Sequence, residues 1–235
     1  MIQNTLFSIG YFVYSLFTPV VLFLFPSTWV KKLFHRLDVA EGERRIESFR
    51  PFVRAGEKVL EVGAGSGRFA KTLGKRLGVE AAGVDVCDYS DKEIPFYIYD
   101  GYKLPFPDKS YDVVFFAYVL HHVKHQEELL QEACRVAKRH VVIFEDIFSN
   151  RVERWFTVWN CFHNNFFHGW VRFLKGSTKG NMAKMPFPFT FRSVEEWKTL
   201  FRKLPLTLVS QETRGMGWKP LTKGIFCLKV NDGLH

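Results

Sequence analysis

Residues 59–70 read VLEVGAGSGRFA, an apolar strand that runs into Gly63, Gly65 and Gly67 and leaves as a helix. Glycines here let the backbone turn sharply and approach a ligand, and the helix N-terminus that follows favours a carboxylate or phosphate. Several cofactor-binding devices share a glycine-rich turn, so the spacing matters. The dinucleotide fingerprint is GxGxxG, whereas this stretch is GxGxG preceded by Glu61.

Outward from this turn, from about residue 38 onward, apolar strands alternate with helical patterns, the mark of a parallel sheet covered on both faces. Strands are expected at 58–62, 81–86, 96–99, 111–117 and 140–145. An amphipathic lead-in helix covers 39–53, a helix follows the glycine turn to about 77, and another around 127–137 turns Leu129, Leu130 and Ala133 inward. Ser193 opens a later helix, with Glu196 three residues on as a capping box. Two closing strands, 206–213 and 224–230, are near enough to pair antiparallel at the sheet edge.

Two carboxylates fall where a nucleotide would need them. Asp85 ends the second strand in GVDV, where it can take two ribose hydroxyls, and Asp100, followed by Gly101, is placed to accept from an adenine amino group. With the glycine turn they form one crevice at the switch point of a doubly wound sheet. Asp85 is expected to line that crevice rather than belong to the core. Both aspartates also read as strand-end turn formers.

The set resembles the class I S-adenosylmethionine-dependent methyltransferases, in particular their small-molecule group. Four stretches carry the resemblance: VLEVGAGSGRFA, GVDV, DGYKLPFPDKSYDVVFFAYVLHHV from residue 100, and RSVEEWKTLF before the closing strands. It covers about residues 53–230. The resemblance implies a Rossmann-like α/β fold, a doubly wound seven-stranded sheet with the last strand antiparallel, and S-adenosyl-L-methionine as cofactor. It further implies that Glu61, Gly63, Gly65 and Gly67 hold the methionine end, Asp85 the ribose, and Val86 one adenine face. Asp100 with Gly101 would meet the adenine edge, and Tyr118 would sit beside the cofactor. The chain departs from the pattern twice. Too few residues follow Val86 for the usual second helix, and Lys138-Arg139-His140 enters strand five without a Pro-Gly turn.

Candidate catalytic groups are less distinct. Because histidine ordinarily titrates near neutrality, His121 and His122 read either as a general base or as packing beneath the cofactor loop; His122 is the candidate base. Glu145 and Asp146 end strand five, where either can orient an acceptor or cap a helix, and Asp146 is the candidate. Cys87, Cys134, Cys161 and Cys227 are widely spaced with no CxxC, so neither a metal site nor a disulfide framework is expected; they read as reduced thiols, Cys134 and Cys227 in the core.

Residues 1–30 carry no charge, and 6–25 supply 20 residues that, at about 1.5 Å each, span a hydrocarbon layer of roughly 30 Å. Trp29, Lys31, Lys32, His35 and Arg36 follow, as at a membrane–water boundary, so a transmembrane or monotopic helix is expected with the catalytic domain facing the cytoplasm. Later, Val152, Trp155, Phe156, Trp159, Phe162, Phe166 and Trp170 recur at helical spacing. No acidic residue occurs between Arg154 and Val194, while Arg154, Arg172, Lys175, Lys179, Lys184 and Arg192 are basic. Aromatics among unopposed cations suit an anionic lipid surface, and also single strands of nucleic acid or plain packing. The turn after strand four, Phe116-Ala117-Tyr118-Val119, lacks the Asn/Asp-Pro-Pro-aromatic pattern of nucleic-acid amino-methylating enzymes, so no nucleic-acid partner is expected.

The domain reading is therefore 1–30 as membrane anchor, 31–57 as basic juxtamembrane segment and lead-in helix, and 58–235 as methyltransferase domain. Within the last, 147–192 forms a substrate-side aromatic and basic insertion. The function expected is methyl transfer to a hydrophobic small molecule or lipid at a membrane surface. A cofactor-binding scaffold without catalysis and a nicotinamide oxidoreductase are the alternatives.

Overall fold

A computed structural model of the chain describes residues 44–88, 90–174, 188–216 and 219–231. The expected anchor at 1–30 and the start of the lead-in helix lie outside these residues, as do 175–187 of the expected insertion. Among the described residues no helix is long and apolar enough to cross a membrane.

Seven strands form one sheet: β1 (Lys58–Val62), β2 (Glu80–Asp85), β3 (Phe96–Ile98), β4 (Tyr111–Ala117), β5 (Ala137–Ile147), β6 (Leu206–Met216) and β7 (Lys219–Val230). Their spatial order is β3-β2-β1-β4-β5-β7-β6. All neighbours pair parallel except at β7, which runs antiparallel to both β5 and β6. The seven-stranded sheet with its last strand antiparallel is thus present. The helices are α1 (Arg68–Leu77), α2 (Gln126–Val136), α3 (Arg151–Leu174) and α4 (Val194–Phe201), and residues 44–49 are helical within the expected lead-in.

The central strands form because both faces are buried, so their side chains are mostly apolar, with Glu61, Asp85 and Glu145 as buried exceptions. Along β1 and β4, Val59, Val113 and Phe115 point to one face, where they meet α1 and the lead-in helix through Ala70, Leu73, Ile46 and Phe49. Leu60, Val62, Val114 and Phe116 point to the other, against Leu129, Leu130 and Ala133 of α2 and Trp197 and Phe201 of α4. Both departures noted in sequence are real. Residues 86–88 and 90–95 hold no helix, and β5 begins at Ala137 directly after α2 ends at Val136. In place of the missing helix, Arg68 pairs with Asp91 at 3.0 Å and Asp91 N–H donates to the Ser66 carbonyl, tying this loop to the glycine turn.

Candidate active site

The parallel strands place their C-terminal ends together, and the order reverses between β1 and β4, the switch point at which doubly wound sheets take their ligands. Gly63 turns the chain out of β1 at φ +72°, and a Cβ on it would lie 2.2 Å from Val119 Cγ2. Only glycine admits the loop after β4 so close. Gly65 also has positive φ, +54°, yet a Cβ there would meet nothing within 4 Å. That bare backbone faces open space, a cradle of the kind a bound cofactor fills. Gly67 caps α1 without a side-chain bond.

Two buried carboxylates brace this turn. Glu61 is 4% exposed and accepts from Ala70 N–H. Burial pushes its carboxyl up to about 8; the Ala70 N–H lowers it, Asp85 adds to the rise, and Arg45 opposes it. Asp85 accepts from Gly65 N–H at 2.8 Å through one oxygen and from Val86 N–H at 2.7 Å through the other. Burial raises its carboxyl, against the pull of the Gly65, Val86 and Cys87 N–H groups. At 9% exposed, Asp85 is part of the interior as well as the crevice, unlike the crevice-only placement expected. An ammonium group for Glu61 and hydroxyls for Asp85 would relieve both, which fits the methionine and ribose ends of S-adenosylmethionine.

The adenine side is more open. Val86 is 47% exposed, and a Cβ on Gly101 would come 3.4 Å from its Cγ1. Asp100 lies two residues beyond β3, and its Oδ1 accepts from the Tyr102 and Lys103 N–H groups. Its turn-forming role is therefore observed. The Gly101 carbonyl accepts from His125 Nε2, and the His125 ring stacks on Tyr102 at 4.1 Å. Sequence reasoning missed His125, which carries no motif.

Past β4 the chain enters Tyr118 at φ 58°, a left-handed conformation unusual for a tyrosine. Its N–H donates to the Phe144 carbonyl, and its ring lies under Lys223 Nζ at 4.2 Å and Arg45 at 5.3 Å. Asp146 belongs to this side. Along β5, Phe144 and Asp146 share one face while Ile143, Glu145 and Ile147 share the other, as strand alternation requires. Asp146 stands opposite Lys223 in register, and its Oδ1 is buried with no hydrogen-bond partner. Burial raises its carboxyl, and Lys223 and then His121 pull it down.

His121, not the candidate base His122, meets a strand-five carboxylate, that of Glu145. Glu145 is fully buried; its Oε1 accepts from Leu120 N–H at 2.6 Å and its Oε2 from His121 Nδ1 at 2.7 Å. Burial alone would lower the His121 pKa, but Glu145 and hydrogen bonds with Cys161 and Glu145 reverse this, so it stands raised. The ring is held between His122 at 4.1 Å and Phe191 at 4.5 Å. Gln126 donates to the Leu120 and Thr190 carbonyls, and Arg192 donates to Gln126, pinning the segment that carries Phe191 over the histidines. The short helix Leu120–His122 thus brings His121 and His122 to Cys161 of α3. No metal site was expected without a CxxC, and the spacing gave no sign that this cysteine would meet the histidines. None of the four cysteines forms a disulfide, and Cys134 and Cys227 lie in the core as expected.

On α3, Phe156, Thr157, Asn160 and Cys161 are buried, whereas Val152 is 59%, Trp155 50% and Phe162 47% exposed. Trp155 stacks on Trp159 at 5.9 Å. The side chains of Phe166 and Trp170 lie outside the described residues.

Residues 30–184, well over half of the chain, match the family described as methyltransferase domain. Among curated relatives, the ubiquinone/menaquinone biosynthesis C-methyltransferase of Laribacter hongkongensis is 34% identical over 99 residues, 37% of this chain and 41% of that protein. The demethylmenaquinone methyltransferase of Tropheryma whipplei is 34% identical over 96 residues, 37% of this chain and 39% of that protein. The alignment thus spans less than half the length of these relatives. Among solved structures, a SAM-dependent methyltransferase from Aquifex aeolicus superposes with TM-score 0.55 at 19% identity, covering 80% of this chain and 88% of that one. The [4+2]-cyclase SpnF gives 0.57 at 13%, covering 81% of each. These likenesses show the fold.

Proposed function

Since the chain belongs to the methyltransferase-domain family, with S-adenosylmethionine as its cofactor, we propose that it methylates an apolar small molecule or lipid taken from a membrane surface. The observation that carries this reading is the division of α3. Its inner face supplies Cys161 beside the histidines, and its outer face leaves Val152, Trp155 and Phe162 to solvent. One helix would then rest on lipid and wall the acceptor site. The relatives named for quinone methylation make a quinone-like ring the first acceptor to try. The uncharged 1–30 segment would be the anchor, and the acid-free basic stretch from Arg154 to Arg192 would meet anionic headgroups, with the domain on the cytoplasmic side.

When bound, the cofactor supplies an electrophilic methyl group. The chain's own residues would align it: Glu61 takes the methionine ammonium, Asp85 the ribose hydroxyls, Val86 and Gly101 the adenine face, and Asp100 its edge. Tyr118, fixed by its backbone bond to Phe144, would line the reacting end. The acceptor would enter on the β4–β5 side, between Tyr118 and the histidines. Asp146, with its unpartnered oxygen, would orient a donor group on it. His121 is held with its proton by Glu145, so it would oppose negative charge on the acceptor rather than remove a proton. Alignment and exclusion of water supply most of the acceleration such displacements need, up to about 7–11 kcal/mol in well-oriented systems.

The test is transfer of labelled methyl by the detergent-solubilised chain, offered a total lipid extract and separately a water-soluble phenol. A labelled lipid-phase product is expected, and its loss on replacing Trp155 and Phe162 by serine while the soluble phenol is still methylated. Label that stays on the donor with every acceptor, although the cofactor binds, would favour a scaffold without catalysis. Label that goes only to the soluble phenol would refute the membrane acceptor.

A further inference from the structure

We propose that His121, His122 and Cys161 bind one divalent transition-metal ion, zinc in kind, on the acceptor side of the crevice. One ligand atom from each of the three lies within 4.8 Å of the other two, and all three residues are buried. Tetrahedral zinc holds nitrogen and sulfur at about 2.0–2.3 Å, hence about 3.3–3.8 Å from one another, so closing on an ion asks a shift of about 1 Å. A mixed thiolate and imidazole set selects zinc or cuprous copper over magnesium or calcium.

The surroundings are those a metal histidine needs. His121 Nδ1 is committed to Glu145 Oε2 at 2.7 Å, which leaves Nε2 as its ligand atom. A carboxylate behind a ligating histidine fixes its tautomer and raises its basicity, the arrangement found around zinc. Glu145 is itself fixed by the Leu120 N–H, and Phe191 stacks on the ring from the far side. Charge also balances. The Glu145 carboxylate and a Cys161 thiolate together carry two negative charges in a buried site, and a divalent ion neutralises both. Without the ion, His121 keeps its proton beside Glu145, as described above.

Three protein ligands leave a fourth position, as catalytic zinc sites do. Resting on the methyl-transfer reading, that position would take the acceptor's own oxygen or sulfur. A coordinated thiol or hydroxyl would give up its proton to solvent base, and the resulting anion would attack the cofactor's methyl carbon as the S–CH3 bond breaks and S-adenosylhomocysteine leaves.

The full chain, stripped with a chelator in detergent, should bind one equivalent of cobalt(II). Its spectrum should show the intense visible bands of a tetrahedral ion and a near-ultraviolet thiolate-to-cobalt band, both abolished by zinc. Cys161→Ser should remove the thiolate band. Glu145→Gln should weaken cobalt about 10–100-fold while leaving the band in place at saturation. Should either variant fail to fold, the thiolate band of the parent chain decides by itself. Cobalt that does not bind, or binds without that band, overturns the site, as does a folded Cys161→Ser chain that keeps the parent's spectrum. Calorimetry with S-adenosylmethionine on the same sample separates the two readings. Cobalt binding without cofactor binding would sink the methyl-transfer reading and leave the metal site standing.

Discussion

Glu61 is the residue where burial and function pull against each other. Its carboxyl stands at about 8 in the folded chain against an ordinary 4.5. A carboxyl raised in this way favours the fold fully below its ordinary value, and that contribution is lost as pH climbs through about 8. Glu61→Gln cannot ionise. It is therefore expected to resist urea better than the parent at about pH 9, with the gap shrinking toward about pH 4. Equal urea midpoints at the higher pH would show that the carboxylate is already compensated. Cofactor binding has the opposite sign. An ammonium partner pulls the Glu61 carboxyl down, so binding near pH 7 should release a proton, and affinity should rise with pH until about 8. Calorimetry in two buffers of different ionisation heat measures that proton; finding none would place the ammonium elsewhere. Asp85→Ala carries a double effect, because Asp85 holds the Gly65 and Val86 N–H groups as well as facing the ribose site. Stability should fall by about 1–3 kcal/mol along with cofactor affinity. A variant that melts like the parent would return Asp85 to a crevice-only role.

At the scale of elements, α4 shows how far local sequence reaches. Ser193 Oγ accepts from Glu196 N–H and the Glu196 carboxylate accepts from Ser193 N–H, the reciprocal pair its sequence predicted. Ser193→Ala should cost about 1 kcal/mol in urea unfolding, and no measurable loss would mean tertiary packing alone holds the helix start. β1 and β4 were legible to the residue because burial on both faces writes a mostly apolar run, interrupted by Glu61 in β1 and Asp112 in β4. β5, β6 and β7 are longer than their apolar runs. Lys138, Arg214 and Lys219 fall outside the expected strand bounds, yet they lie within strands, with Arg214 opposite Lys223 and Lys219 opposite Met216 across the β6–β7 hairpin. The histidine site was the least legible. His121 and Glu145 are 24 residues apart and nothing local links them, although alternation along β5 already separates Glu145 from Asp146. The aromatic pattern on α3 was read as one stripe; the buried face is instead Phe156, Thr157, Asn160 and Cys161, because the side chains at 152, 155 and 162 turn the other way.

Across the whole molecule, the two sheet edges are blunted differently. β3 has only 3 residues, and β6 carries a bulge between Leu208 and Ser210 at exposed Val209. The interior position next to β6 belongs to β7, whose Ile225, Phe226, Cys227 and Leu228 enter both core clusters. A chain ending at residue 218 should lose its cooperative urea transition, since β5 and β6 would both lack their partner. A soluble truncated chain that still unfolds in one step would contradict that. The same placement sets an order of assembly during synthesis. β1 to β5 leave the ribosome able to pair among themselves, so the crevice for S-adenosylmethionine can close while β6 has nothing to lie against. Until β7 follows, the edge of β5 is open to any other extended chain. Cofactor already seated on the early strands would stabilise that half-made sheet by mass action, so a cell short of S-adenosylmethionine should yield less of the finished protein.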